Sequence, residues 1–519
     1  MASRSRLSRL LARREALLSG RFWQRSPIAE DADVTPRRHR QTPRYYGARR
    51  VPETMWLGDA LDVLGPLVAQ VGAHFALSMI AEAAPLPPAA KAIIREFSAR
   101  QGEELLEDAQ RRFFDNPGLD TLVVQAFARA WRVPVKAGRG YLRAKIALGL
   151  DGDGRAARML PLVPKRDFEA LMVSYLTIGT AVGWFRGGTV TANLWYRNGE
   201  FLDLPTGTPN VRPRRLEAPR TLTDMAADID DMYWIEGMGQ PVKITSVGEG
   251  QLRRWLISLP GTDHMDPAST LNPADPETNV REVLGLTSAM QSGVVAALRH
   301  AMALEGVSER DMVREPVVIM GHSQGGMVAL SLADRHPRKV NVRAVVTLGT
   351  PGRRLRVSRD VAALTLEHDQ DVVPSLDGRP RRRVDDRVVV GRHLIRPRTG
   401  ALFYAHASST YTETVHLMER HAKVSPQSRI GRMVERIEPF LPREGEPSRV
   451  YVYEVVQELL SGSGPDLEEA IEVFAEMPEG VYPPSLVGSE VSDRRVTTLV
   501  RPALAQWKER RMGKGRRDD

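Results

Sequence analysis

One short segment limits the fold of this chain more than any other. The apolar run PVVIM, residues 316–320, is followed at once by Gly321-His322-Ser323-Gln324-Gly325, after which GMVALSLADRH begins a helix. A strand, a sharp turn that carries a serine and a helix in direct succession form the elbow that presents a nucleophilic serine. Small glycines are expected beside that turn because any side chain there would meet neighbouring backbone. Ser323 is therefore the candidate nucleophile, and the alternative is an ordinary glycine-rich turn.

Short apolar runs alternate with longer helical patterns on both sides of this turn. The apolar runs lie at residues 242–247, 255–259, 316–320, 342–348 and 361–366, and helical stretches lie at 287–304 and 326–333. This alternation predicts βαβ units, and therefore a mostly parallel sheet with helices on both faces.

The pattern changes along the chain and predicts five regions. Residues 1–50 form a basic tail, expected to be disordered or only locally helical, and residues 51–205 read as a helical and then β-rich accessory region. A Pro- and Arg-rich linker at 206–219 marks a domain boundary, residues 220–440 form the α/β domain, and 441–519 form a C-terminal extension with a basic tail.

Smaller elements are expected within these regions. The apolar run 171–185 reads as a buried strand or hairpin, and Asn198-Gly199 is a two-residue hairpin signal. In the C-terminal extension, residues 449–456 read as a strand and 466–476 as an acidic helix.

Charge, cysteine content and hydropathy exclude several classes of protein. The net charge of +9 is accounted for by residues 1–50, which hold thirteen arginines and four acidic residues, so a neutral body carries a basic arm. This distribution argues against a nucleic-acid-binding domain. The chain has no cysteine, which excludes disulfides and a cysteine nucleophile.

The same features predict where the protein is found. No run of roughly 7–15 apolar residues follows the basic N-terminus, so no signal peptide is expected. The run 171–185 is shorter than the ~20 residues of a membrane span. We expect a cytoplasmic protein whose basic tail is either an amphipathic helix on an anionic membrane surface or a solvated arm.

A nucleophilic serine needs a histidine base, and the base needs an orienting acid, in the order Ser, acid, His for this kind of fold. The acid is expected just after the strand at 361–366, at the carboxyl edge of the sheet where ligand sites gather. Asp371 is the first choice, with Asp369 and then Glu367 as reserves.

Four histidines follow Asp371 and are candidates for the base. His393 lies in or beside a strand, and His416 and His421 lie on the helix ETVHLMERH. His406 lies in a loop from which it can reach Ser323, and we select it. His322 flanks the nucleophile and is not assigned as the base.

An oxyanion hole requires two backbone N–H groups aimed at the developing negative charge. One is expected from Gln324, which directly follows the nucleophile. The other is expected from the loop after the strand at 255–259, where Thr262 is the first choice and Gly261 the alternative.

Taken together, the runs LPGTDHMDP, VVIMGHSQGGMVAL, VVTLGTPG, LEHDQDVVPSLDG and HASSTY resemble actinobacterial α/β-hydrolases of the lipase/esterase type, over residues 220–415. The resemblance implies the α/β-hydrolase fold and carboxylic-ester hydrolysis through an acyl-enzyme. It also implies Ser323, Asp371 and His406 as the triad, with Thr262 and Gln324 at the oxyanion hole.

The sequence therefore favours an esterase or lipase acting on a small-molecule or lipid ester. The chain lacks HExxH, Walker A and strand-linked GxGxxG motifs, so neither a metal nor another cofactor is expected. An acyltransferase or peptidase with the same triad is the first alternative, because the fold does not decide among these reactions. A membrane-surface or scaffold protein with an inert hydrolase body is the second.

Overall fold

The computed structural model describes the strand 28–33, residues 140–150, 167–181, 188–263, 268–335, 340–379, 387–392 and 404–459, and a few single residues elsewhere. The expected helix of the basic tail, most of the region 51–165 and the expected helix at 466–476 lie outside these residues.

The strands and helices follow the predicted alternation. The strands are β1 (Ile28–Asp33), β2 (Gly188–Arg197), β3 (Glu200–Phe201), β4 (Gln240–Val247), β5 (Arg254–Leu259), β6 (Pro316–His322), β7 (Asn341–Leu348), β8 (Ala362–His368), β9 (Val388–Arg392) and β10 (Ser448–Leu459). The main helices are α1 (Asp167–Ala181), α2 (Leu222–Met232), α3 (Pro276–Leu284), α4 (Ala289–Leu304), α5 (Glu309–Met312), α6 (Gln324–Arg335), α7 (Ser408–Val424) and α8 (Arg429–Ile437).

The chain divides into two compact units. The large unit comprises Gln125–Ala363 and Arg436–Asp519, and the small unit comprises Met1–Val124 and Leu364–Glu435. In the large unit the strand order is β7-β6-β5-β4-β10-β2-β3. β5, β6 and β7 are parallel, and the strands from β4 outward are antiparallel to their neighbours.

The core of the large unit forms where the sheet packs against α4 and α6. Trp255, Ile257 and Leu259 of β5 are buried in this core together with Val294 of α4 and Val328 of α6. Every residue of β5 is buried, as expected for a strand covered on both faces. The sheet is therefore a rigid base for the loops that follow β5 and β6.

In the small unit, β8 pairs in parallel with β9, and β1 adds antiparallel to β9. The short strand β1 lies within the basic tail, where the sequence indicated no strand. Helix α7 follows a 3₁₀ turn at Tyr404–His406. The buried strand β8 leads directly into the segment that holds Asp369 and Asp371.

The predicted α/β class, a mostly parallel central sheet flanked by helices, is confirmed. All five predicted strands and both predicted helices are present, and residues 449–456 lie within β10. The Asn198-Gly199 turn is also confirmed, because both residues have positive φ, 44° and 101°, and they join antiparallel β2 and β3.

The expected strand or hairpin at 171–185 is wrong. Asp167–Ala181 is an α-helix, and Phe185 folds back so that its ring covers Gly179, where a Cβ would lie 2.4 Å from the ring. Leu176 and Phe185 pack with Val280 and Leu284 of α3. Among the described residues, no helix is long and apolar enough to cross a membrane.

The predicted boundary at 206–219 contains no helix or strand. Lys243 of β4 donates to the carbonyl oxygens of Arg215 and Glu217, at 2.8 Å each, and pairs with Asp228 of α2. β2 and β4, on either side of this segment, belong to one sheet through β10. The division of the chain into domains at this segment stays a prediction.

Candidate active site

Ser323 stands on the turn between β6 and α6. Its φ of +53° lies in the left-handed region, which a non-glycine residue adopts at a cost of about 1–3 kcal/mol. The turn is fixed by hydrogen bonds, because the Ser323 N–H donates to Leu348 O of β7 at 2.8 Å and Gly326 N–H donates to Ser323 O at 3.1 Å. The surrounding sheet therefore holds this residue in a strained turn with its side chain at the head of a helix.

The two glycines of the motif are required by close contacts between backbone segments. A Cβ on Gly321 would lie 2.3 Å from the carbonyl carbon of Gly325, and a Cβ on Gly325 would lie 2.4 Å from Pro260 O. These atoms belong to the main chain and cannot rotate away. The expectation that small residues are needed here is therefore confirmed, through packing of the elbow against the loop after β5.

That loop comprises Gly261, Thr262 and Asp263, and we call it the oxyanion loop after the role that the sequence predicts for it. The Gly261 N–H donates to the Tyr233 hydroxyl, and the Asp263 N–H donates to Ala274 O at 3.0 Å. A Cβ on Gly261 would lie 2.6 Å from the Ser323 Cβ, so the loop touches the elbow directly. Gln324 is the first residue of α6, so its N–H is among those at a helix start that have no acceptor within the helix.

Tyr233 joins the oxyanion loop to the elbow. Its hydroxyl lies 2.6 Å from Nδ1 of His322, and the two rings meet edge to face. Burial, together with the nearby carboxylates of Asp263 and Asp230, raises the pKa of Tyr233 well above its usual range. The phenol therefore stays protonated, accepts the Gly261 N–H and makes its second hydrogen bond with Nδ1 of His322.

A second contact joins the same loop to α6. Asn279 of α3 donates from Nδ2 to Thr262 Oγ1 at 3.0 Å, and its Oδ1 accepts from Gln324 Nε2 at 3.0 Å. Gln324 Nε2 also donates to Asp275 O at 2.8 Å. Asp275 caps α3 by accepting the Thr278 N–H at 2.8 Å, and burial raises its pKa to about 6.

In the small unit, the structure brings Asp371 and His406 together. His406 donates from Nδ1 to Asp371 Oδ2 at 2.8 Å, and the Asp371 side chain is fully buried whereas that of His406 is 17% exposed. Asp371 Oδ1 also accepts the Val373 N–H at 3.0 Å. With its proton on Nδ1, a neutral His406 has a lone pair on Nε2 that can take a proton.

Tyr411 and His368 support this pair. Tyr411 donates its O–H to Asp371 Oδ2 at 2.7 Å, and its ring stacks on that of His368 with centroids 3.9 Å apart. His368 contacts the carbonyl of Ala405, next to His406, from Nδ1 at 2.7 Å. Burial lowers the pKa of His368 to about 3, so this ring is neutral and donates from Nδ1.

The other acids and histidines that the sequence offered for the triad lie elsewhere in the structure or outside the described residues. Glu367 belongs to β8, and Asp369, also buried, donates its N–H to Arg392 O at 3.0 Å. His416 and His421 lie on α7, where His416 is exposed, and His393 lies outside the described residues. Within the small unit the structure therefore joins the two residues selected from the sequence, while Ser323, Gln324 and Thr262 lie in the large unit.

Sequence analysis missed the supporting residues Tyr233, Asn279, His368 and Tyr411. Tyr233 is 89 positions from His322 and Asn279 is 45 positions from Gln324, so no local pattern marks them. Tyr411 was detectable in part, since it ends the run HASSTY that begins at His406. Among the described residues, no three His, Asp or Glu side chains are grouped as a metal site would require.

Residues 309–403 match the family model described as alpha/beta hydrolase fold. The match includes β6, the elbow, β7 and the segment with Asp371, and it ends before His406. Comparison with curated proteins and with solved structures found no match. The match supports the fold and, with it, hydrolase activity in general.

Proposed function

From the α/β-hydrolase fold of this chain, we propose that it is a serine hydrolase that cleaves carboxylic esters through an acyl-enzyme on Ser323. The observation that carries the proposal is the hydrogen bond from His406 Nδ1 to Asp371 Oδ2, between residues 35 positions apart. A buried carboxylate that fixes the tautomer of a partly exposed histidine is the arrangement that prepares a general base.

In the first half of the proposed reaction, Ser323 Oγ attacks the carbonyl carbon of the ester. His406 Nε2 accepts the hydroxyl proton, and Asp371 stabilises the imidazolium that forms. When the tetrahedral intermediate collapses, the bond to the alkoxy group breaks and His406 returns the proton to the leaving alcohol. The acyl group is then bound as an ester to Ser323.

In the second half, water attacks the acyl-enzyme. His406 takes a proton from the water, the bond to Ser323 Oγ breaks, and the serine regains its proton from His406. The products are a carboxylic acid and free enzyme, and no step needs a cofactor.

The negative oxygen of both tetrahedral intermediates needs two N–H donors. We assign these to Gln324 and Thr262. The Gln324 N–H lies at the start of α6, where the helix dipole also favours negative charge. In the oxyanion loop, Gly261 donates to Tyr233 and Asp263 donates to Ala274, which favours Thr262 as the loop donor.

A fluorophosphonate probe tests the proposal on the purified full-length chain. We expect a covalent adduct on Ser323, found by peptide mass spectrometry, and hydrolysis of a chromogenic ester. Ser323→Ala should abolish both, whereas Ser292→Ala, at an exposed serine of α4, should leave both unchanged. A wild-type chain that takes up no probe, or a Ser323→Ala chain that is labelled equally, would refute the proposal.

The acyl acceptor and acyl length are tested in the same assay. Hydrolysis predicts carboxylic acid as the main product even when a competing alcohol is present. A product dominated by the new ester would assign the chain to acyl transfer instead. Rates across esters of increasing acyl length separate a preference for short substrates, typical of esterases, from activation at a lipid interface, typical of lipases.

A further inference from the structure

Asn279 contacts the side chains of both residues that we assign as oxyanion donors. Its amide nitrogen donates to Thr262 Oγ1 and its amide oxygen accepts from Gln324 Nε2, each at 3.0 Å. The same side chain therefore spans from the oxyanion loop to the first residue of α6.

The orientation of this amide is set by its neighbours. Gln324 Nε2 carries two hydrogens, of which one is directed at Asp275 O and the other at Asn279 Oδ1. Reversing the Asn279 amide would place two N–H₂ groups against each other. Asn279 Nδ2 is therefore directed at Thr262. In this arrangement Gln324 donates to Asn279, and Asn279 donates to Thr262.

The two ends of this bridge differ in rigidity. Gln324 belongs to a helix and is 1% exposed, whereas Thr262 lies in an irregular loop and is partly exposed. Asn279 is itself fixed on α3, because its N–H donates to Asp275 O at 3.2 Å. The bridge thus restrains the loop relative to the helix, since the helix is already held by its own hydrogen bonds.

We propose that Asn279 is a positioning residue that holds the Thr262 N–H at a fixed place relative to the Gln324 N–H. This inference rests on the proposed ester hydrolysis and adds to it. Donors that are fixed before reaction stabilise an oxyanion without reorganising, and losing one donor outright lowers kcat by about 10²–10³-fold. Loosening one donor without removing it should lower kcat by a smaller factor.

The first test is Asn279→Ala in the full-length chain, with Asn341→Ala as the matched control. Asn341 is an asparagine of the same unit that donates to a backbone carbonyl, Arg314 O, at 2.7 Å. For Asn279→Ala we expect kcat for a chromogenic ester to fall by about 10–100-fold, below the loss of a full donor. KM and the melting temperature should change little, and the rate of Ser323 phosphonylation should fall with kcat.

Asn279→Asp provides a readout that a purely structural role would not produce. Its ionised form can still accept from the Thr262 hydroxyl, which lies 3.3 Å from Asn279 Oδ1, but it adds negative charge near both proposed oxyanion donors, whereas its protonated form is neutral. The ratio of kcat for Asn279→Asp to kcat for wild type should therefore rise as the pH falls from 7 to 5. Because this side chain is isosteric with asparagine, the test also serves if Asn279→Ala does not fold.

The outcomes separate this inference from the proposed function. If wild type is labelled at Ser323 but Asn279→Ala keeps the wild-type kcat, or the Asn279→Asp ratio is independent of pH, the positioning role is refuted alone. If wild type itself is not labelled, both proposals are refuted together.

Discussion

The hydroxyl of Tyr233 lies 2.6 Å from Nδ1 of His322, the residue that precedes the candidate nucleophile. The same oxygen accepts the N–H of Gly261 in the oxyanion loop. One buried phenol therefore connects the elbow after β6 to the loop after β5. Its removal would take a hydrogen-bond partner from the buried Gly261 N–H and from a nitrogen of the buried His322 ring.

Tyr233→Phe is expected to lower kcat by about tenfold, because an unsatisfied buried Gly261 N–H favours a shift of the loop that also holds the proposed donor Thr262. The same change is expected to reduce the free energy of unfolding by about 1–3 kcal/mol. Steady-state kinetics with a chromogenic ester and urea unfolding measure the two effects.

Tyr453→Phe is the matched control. The Tyr453 hydroxyl lies 3.0 Å from Nδ1 of His300, and the two rings meet edge to face, as in the Tyr233–His322 pair. This control should lose stability without losing kcat. Equal losses of kcat in the two variants would show that Tyr233 acts only on stability.

Asp371→Asn is expected to lower kcat by about 10³–10⁴-fold, since an amide facing His406 Nδ1 selects the wrong tautomer of the ring. Asp369→Asn, at the neighbouring buried carboxylate, is the comparison and should retain most of the activity. Ester hydrolysis by the two variants at pH 8 decides between the candidate acids. A larger loss of activity in Asp369→Asn than in Asp371→Asn would identify Asp369 as the acid that orients His406.

His368→Gln is expected to change the pH dependence of stability. The pKa of His368 is lowered to about 3 in the folded chain, against an ordinary value of 6.5 for histidine, so only the unfolded chain takes up this proton between these pH values. The contribution of the neutral ring is complete above pH 6.5 and is lost as the pH falls toward 3.

The stability advantage of wild type over His368→Gln should therefore shrink by about 2 kcal/mol between pH 8 and pH 5, at ~1.4 kcal/mol per pKa unit. Burial raises the pKa of both Asp228 and Asp275 to about 6. These two carboxyl groups therefore increase the free energy of unfolding as the pH falls, and they do so equally in wild type and in His368→Gln. For this reason the difference between the two urea-unfolding energies is the quantity to measure. A gap that is the same at both pH values would contradict the prediction.

Gly325→Ala is expected to abolish labelling of Ser323, because the new Cβ would meet the carbonyl oxygens of Pro260 and Leu259 at 2.4 and 2.5 Å. Overpacking of this kind destabilises by about 1–3 kcal/mol or more. Gly140→Ala, where no atom lies within 4 Å of the new Cβ, should keep both labelling and stability. Thermal melting followed by circular dichroism and labelling with the fluorophosphonate probe compare the two variants. Labelling of the Gly325→Ala chain at Ser323 would contradict the prediction.

Several elements could be predicted because their signals are local. The strand PVVIM, the two glycines of the elbow and the following helix lie within about twenty consecutive residues, and the structure contains each of them. The pairing of Asp371 with His406 was also predictable, although it is not local. The chain order of serine, acid and histidine, the position just after the strand at 361–366 and the loop position of His406 selected these two residues from three acids and four histidines.

Other features could not be predicted from the sequence. Helix α1 is apolar on most of its surface, with residues 172–175 partly buried and Leu171 and Leu176 buried, so no 3.6-residue period distinguishes it from a buried strand. Asn279 and Tyr233 were missed because their roles depend on contacts across 45 and 89 positions of sequence. Such contacts arise from the packing of α2 and α3 and leave no mark on neighbouring residues.

The position of β10 has a consequence for synthesis of the protein. This strand lies between β2 and β4, yet it leaves the ribosome about 200 residues after β4. At about 5–20 residues per second, the edges of β2 and β4 that later pair with β10 await their partner for roughly 10–40 s. Open strand edges recruit other chains. A message that ends before residue 448 should therefore yield aggregates, and chaperone binding to the nascent chain should end once residues 448–459 have emerged.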